Sequence, residues 1–105
     1  MQYDNDMESP HKELFLLVRK QVLEIKDTAE IKKEKITTYS YNDSGLCHIR
    51  TMPHGVDVGF LKGAYFSDKY GLLHGETKRM RVLSLKKNMK NELKYYLSEA
   101  VKQNS

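Results

Sequence analysis

The chain has 105 residues, with 18 Lys and Arg against 14 Asp and Glu, a formal charge of +4 and a single cysteine. That length suits one hydrophobic core and is too short for two, and folding should bury about two-thirds of the surface of the unfolded chain, so neither disulfides nor metal are required as staples. The lone Cys47 cannot form an internal disulfide, which favours a reducing compartment, and the mild basicity lies in runs such as Lys32-Lys33, Lys78-Arg79 and Lys86-Lys87 that read as solvated faces rather than as the basic stripe of a nucleic-acid reader.

The opening Met1-Gln2-Tyr3-Asp4-Asn5-Asp6 is acidic and polar where a signal peptide would be basic and then apolar. No apolar run approaches the ~18 residues of a membrane span. The expectation is a soluble, cytoplasmic protein with a flexible start over residues 1–8 and one domain over residues 9–103. Ser9-Pro10 is a helix start: the serine oxygen can accept a free first-turn N–H, and proline at the first helical position has no N–H to satisfy. Leu14, Leu17, Val18, Val22 and Ile25, with Phe15 beside them, then recur at helical spacing. Asp27 to Lys35 alternates charges without an apolar stripe and reads as the helix end and a solvated connection.

The period then changes. Ile36-Thr37-Thr38-Tyr39-Ser40-Tyr41 is β-branched and aromatic, and Asn42-Asp43-Ser44-Gly45 turns the chain into Leu46-Cys47-His48-Ile49-Arg50-Thr51-Met52, a predicted β-hairpin. A second turn, Pro53-His54-Gly55, leads into Val56 to Leu61, in which Val56, Val58 and Phe60 share one face. Met80 to Leu85 reads as a further strand, and Asn88 is placed to cap a last helix whose Met89, Leu93, Tyr96, Leu97, Ala100 and Val101 form one buried stripe. Laying both helices on one side of a twisted antiparallel sheet buries all these faces together. The expected fold is therefore α+β, a two-layer sandwich of about four strands with N- and C-terminal helices on one face, ordered α-β-β-β-β-α.

Between the third and fourth predicted strands lie about 18 residues, Lys62 to Arg79, more than usually join strands in a compact domain. Gly63, Gly71 and Gly75 permit positive φ and close backbone approach, so this loop could aim amide N–H groups at an anion, with Lys62, His74, Lys78, Arg79 and Arg81 supplying further contacts and charge. The order of a phosphate-binding loop, Gly-x4-Gly-Lys-Ser/Thr, is absent. The plainer reading is that the glycines serve tight turns tucking Tyr65, Phe66, Tyr70, Leu72 and Leu73 under the sheet edge.

The run Val56-Asp57-Val58-Gly59-Phe60-Leu61-Lys62-Gly63-Ala64, followed by Asp68, Gly71-Leu72-Leu73, Gly75, Lys78 and Met80-Arg81, resembles the YdhG-like domain of unknown function found in many bacteria. Leu46-Cys47-His48-Ile49 is similar to that family's second strand, and the element order agrees from about Ser9 to Gln103. The resemblance implies a cytosolic, frataxin-like layering of helices on an antiparallel sheet, and it brings in intracellular iron chaperoning, described for some relatives. Two departures stand out. Thr38-Tyr39-Ser40-Tyr41 occupies the place of a Gly-Met-Pro segment, and Gly75-Glu76-Thr77-Lys78 replaces Gly-x-Gly-Lys, where threonine narrows the backbone freedom a phosphate cradle uses.

Cys47 and His48 are neighbours on a strand and point to opposite faces, so they cannot share a metal or act as nucleophile and base. His11, His48, His54 and His74 show no ligand spacing, and no catalytic motif or cofactor fingerprint is present. Iron would need clustered carboxylates, whereas Asp4, Asp6, Glu8, Glu13, Glu24, Asp27, Glu30 and Glu34 are interleaved with Lys12, Lys20, Lys26, Lys32, Lys33 and Lys35. The reading that follows is a binding or scaffolding module, monomeric or homodimeric, that recognises a small anionic ligand or a protein partner at the long loop, without metal or cofactor. An iron-binding chaperone is the alternative.

Overall fold

The computed structural model describes residues 1–104. The described residues form helices α1 (Gln2–Met7), α2 (Lys12–Leu23) and α3 (Lys90–Gln103), and strands β1 (Thr28–Lys32), β2 (Thr37–Tyr41), β3 (Ser44–Met52), β4 (Gly55–Phe60), β5 (Leu73–His74) and β6 (Arg81–Leu85). The strands make one antiparallel sheet in the order β1-β2-β3-β4-β6-β5. The α+β class and antiparallel sheet therefore hold, with six strands where about four were expected and three helices where two were.

Register explains which residues are buried. Directly opposed residues share a face, so Tyr39, Cys47, Phe60 and then Ile49, Val58, Leu83 line up across the strands, as do Val56 and Leu85. These side chains meet Phe15, Val18 and Val22 of α2 and Leu93, Tyr96, Leu97 and Ala100 of α3 in one core. A β-bulge at Tyr39/Ser40 sets two residues of β3 against one of β2, so that consecutive Leu46 and Cys47 are both buried where strict alternation would expose one. The two hairpin turns are tight. Asn42 and Asp43 take φ of 49° and 64°, the left-handed pair that matches the twist of the β2–β3 hairpin.

Three departures from the sequence reading have physical causes. Residues Gln2–Met7, expected as part of a flexible start, form α1, and its Asp6 is buried because its Oδ1 accepts hydrogen bonds from the N–H and hydroxyl of Thr51 on β3 and from Gln2 Nε2. The stretch Thr28–Lys32, expected as a connection, is the edge strand β1, paired with β2 from Thr28–Tyr41 to Lys32–Thr37. Charges hide its alternation, as is common on exposed edges. Glu30 faces the helices, and Arg19 of α2 donates to it through Nε at 2.6 Å and Nη2 at 3.0 Å, while Tyr39 Oη donates at 2.7 Å. Burial acts to raise the Glu30 carboxyl, but these hydrogen bonds outweigh it and hold the group below its ordinary value of 4.5.

The helix starts also move. Ser9 accepts the His11 N–H through its hydroxyl, yet regular helix begins at Lys12, so Ser9-Pro10 forms the turn that joins α1 to α2. Likewise α3 begins after Met89 rather than Asn88. No helix among the described residues is long and apolar enough to cross a membrane.

Candidate functional site

The connection from β4 to β6 is not one open loop. It contains a 3-10 turn at Gly63–Tyr65 and the short strand β5, and hydrogen bonds tie it to its surroundings. Glu99 Oε1 on α3 accepts the Ser67 N–H at 3.0 Å. Tyr95 Oη accepts the Lys69 N–H, and Tyr96 Oη donates to Asp68 Oδ1 at 2.5 Å while accepting the Leu72 N–H at 3.3 Å. Gln103 Nε2 donates to the Tyr65 carbonyl, and Lys62 Nζ to the Gln103 carbonyl. Glu99 is buried and nonetheless ionises below the ordinary carboxylate range, chiefly because the Ser67 N–H stabilises its charge.

Each residue expected to form an anion site can now be placed. Gly63 is packed against β6, where an added Cβ would lie 2.6 Å from Arg81 Cβ and 3.0 Å from Arg81 N; it permits close approach of backbone to strand. Gly71 has φ of 65° and its N–H bonds to the Asp68 carbonyl, closing a turn that points into open space. Gly75 also has positive φ and sits beside Met80 and Arg81. Arg81 turns back on its own segment, its Nη1 donating to the Thr77 and Met80 carbonyls. Lys78 and Arg79 are exposed. The amides of Ser67, Lys69, Gly71 and Leu72 all have acceptors inside the protein. Gly63 and Gly75 are thus brought against Arg81, whose Nη1 is engaged by backbone carbonyls of its own segment, while the Lys62 side chain is directed to Gln103 and that of His74 to Ser84.

What the loop presents outward is aromatic. Tyr65 is 56% exposed, Tyr70 41% and Leu72 37%. Tyr70 packs edge-on against Tyr95 at 5.4 Å between ring centroids and against Tyr96 at 6.1 Å, and Lys69 Nζ stands 5.3 Å from the Tyr70 centroid. Such pairs add directional attraction to the burial of the rings. The sequence reading tucked Tyr65, Phe66, Tyr70, Leu72 and Leu73 under the sheet edge, and gave an exposed aromatic or basic patch at this loop as the mark of a binding module; of the five only Phe66 is buried, and Tyr65, Tyr70 and Leu72 lie outside while α3 holds the segment from beneath. The signal for these outward rings was present in Tyr95, next to the buried stripe that holds Tyr96, and in the tyrosines of the loop.

His74 belongs to a different surface. It lies on the sheet face turned away from the helices, where His74 Nε2 and Ser84 Oγ are 2.7 Å apart, Ser84 Oγ donates to Asp57 Oδ1 at 2.8 Å, and His54 Nε2 lies 2.6 Å from the same oxygen. Because the serine proton is directed to Asp57, His74 Nε2 must carry a proton. In a hydrolytic triad the histidine takes the serine proton and the carboxylate orients the histidine. Here the serine stands between carboxylate and histidine, so the order does not activate Ser84.

Cys47 is buried, and burial pushes its thiol well above the ordinary range, which leaves it un-ionised and inert. Among the described residues no group of three or more His, Cys, Asp and Glu side chains is placed to hold a metal ion. A groove of about 470 Å³ between α2 and α3 has Glu24 on one bank and Lys90 and Lys94 on the other. No family model, curated protein or solved structure matches the chain.

Proposed function

We propose that this chain is a small binding module of the YdhG-like type, working in the cytoplasm, and that it recognises an acidic protein partner through the loop between β4 and β6. The observation that supports the reading is the fixed aromatic surface. Tyr65, Tyr70 and Leu72 are exposed on a segment that hydrogen bonds hold to α3, with Lys69 against the tyrosine rings. Rigid aromatic side chains lose little freedom on binding and dominate interface energetics, while neighbouring cations favour acidic partners and speed encounter. Lys78 and Arg79, exposed in the same segment, add positive charge. A small phosphate ligand is less well served, since the loop amides that would cradle it are engaged within the protein.

The alternative, a frataxin-like iron chaperone, would use exposed clustered carboxylates. Asp6 and Glu30, two of the acids available to it, are engaged by Thr51 and Gln2 and by Arg19 and Tyr39. The test is a titration of 15N-labelled protein with a synthetic peptide of alternating Glu and Leu, and with a Lys-Leu peptide as control. Shifts should concentrate in residues 62–81, weaken as salt is added, be absent with the basic peptide and be lost in Tyr70→Ser. Equal response to both peptides, or shifts lying elsewhere, would overturn the proposal.

A further inference from the structure

The sheet face away from the helices carries a second feature, independent of the loop. Register places two rows of residues across it. Thr38, His48, Gly59, Val82 and His74 are opposed in turn from β2 to β5, and Arg50, Asp57 and Ser84 form a shorter row beside them. Gly59, in the middle of the longer row, has no side chain, and Met80 leans over it with its terminal methyl 2.6 Å from where a Cβ would stand; beside them lies a depression of about 200 Å³ walled by Ile36, His48, Met80 and Val82, with Arg50 and Asp57 at its polar side. That is smaller than the roughly 300–1,000 Å³ of pockets for drug-sized ligands, so it suits a body of a few carbon atoms.

The charges at the rim are unusual. Arg50 and Asp57 are directly opposed on neighbouring strands, yet no ion pair joins them among the described residues. Asp57 is instead held by His54 and Ser84, both on Oδ1, which leaves Oδ2 without a hydrogen bond among the described residues. Arg50 is exposed, with no carboxylate partner among those residues. His48, the neighbouring wall, is kept neutral by burial and by nearby Lys33, and so adds no competing charge. A fixed acid and a free guanidinium thus stand side by side at the edge of an apolar notch.

We propose that this notch binds a small aliphatic zwitterion, in its simplest form an aliphatic amino acid, with the carboxylate on Arg50, the ammonium on Asp57 Oδ2 and the aliphatic group against Ile36, Met80 and Val82. Guanidinium and carboxylate match in a two-pronged geometry, and a ligand bearing both charges satisfies two groups that are not paired with each other. An acid or an amine alone satisfies one of them and leaves the other against the ligand's apolar body.

The experiment is a 15N chemical-shift titration of the full chain with L-leucine, set beside 4-methylpentanoate and 3-methylbutylamine, which each keep one charge. Leucine should give saturable shifts confined to residues near 48–50, 57–59 and 80–82, with at least tenfold weaker responses to either control. Arg50→Gln, a change at an exposed side chain, should abolish saturation and leave the rest of the spectrum in place. Gly59→Ala would place its Cβ 2.6 Å from the terminal methyl of Met80 and push that flexible side chain aside, so the fold should survive while the wall of the notch moves and leucine binding is weakened. Absence of saturable shifts at these residues, an equal response to 4-methylpentanoate, or unchanged leucine binding in Arg50→Gln would each overturn the proposal.

Discussion

Replacing Tyr96 by Phe isolates the bond that fastens the loop to α3, because the ring stays in the core and the hydroxyl alone is removed. That hydroxyl donates to Asp68 Oδ1 at 2.5 Å and accepts the Leu72 N–H at 3.3 Å. A hydrogen bond to a charged group contributes about 1.5–3 kcal/mol. Two facts moderate the loss. The Leu72 N–H keeps Asp68 Oδ1 as an acceptor at 3.1 Å, and Asp68 is only half-buried, so water can occupy the vacated position. The expected destabilisation is therefore about 1–2 kcal/mol, or roughly 5–10 °C in melting temperature for a domain of this size. Urea denaturation gives the free energy, and hydrogen exchange at Lys69 and Leu72 reports the loop, which should open sooner in the variant. The alkaline limb is a second readout. Burial, and then the bond to Asp68, push the Tyr96 hydroxyl from its ordinary 10.0 up to about 12. A raised value means that its contribution is complete below pH 10 and is lost as pH rises through about 12, so wild type should lose stability in that window more steeply than Tyr96→Phe. A variant within about 0.3 kcal/mol of wild type, with unchanged exchange at both amides, would refute the reasoning.

Glu99 offers the acid counterpart. Its lowered carboxyl means that the Ser67 anchor is complete above the ordinary carboxylate range and is lost as pH falls below it, so exchange at Ser67 should accelerate on acidification in wild type and be already fast at neutral pH in Glu99→Ala. Glu30→Ala strips Arg19 and Tyr39 of their shared acceptor and should cost about 2–3 kcal/mol in chemical denaturation, with the difference from wild type shrinking as pH falls below 4.5. Cys47 should resist alkylation by iodoacetamide in the folded protein and react promptly in denaturant, since burial both shields the thiol and suppresses its thiolate.

The elements legible in the sequence were those whose hydrophobic period is set by burial on one side. Val56, Val58 and Phe60 alternate because the core touches every second residue of β4, and Leu93, Tyr96, Leu97 and Ala100 repeat because α3 lays one stripe on the sheet. At the margins the signal failed for reasons specific to each segment. Glu30 is an inward-facing residue of β1, but it is satisfied by a guanidinium and a phenol rather than by apolar packing, so it reads as solvated. Asp6 is buried on the strength of contacts with Thr51, 45 residues away, which no local window contains. The loop's glycines were visible as conformational freedom. Their use was not, because Gly63 serves an approach to Arg81 that depends on tertiary structure. Arg50 and Asp57 became neighbours only once the β3–β4 register was known.

The strand order bears on how the chain assembles. From β1 to β4 each strand lies beside its sequence neighbour, joined by turns of a few residues, so these pairings close short loops and can form early at small entropic cost. The step from β4 to β6 spans 20 residues, and the segment between them leans on α3, which follows β6 in the chain. The long loop therefore gains its fixed shape only when α3 docks, and a ribosome-tethered chain still lacking α3 would hold a folded meander beside an unshaped segment.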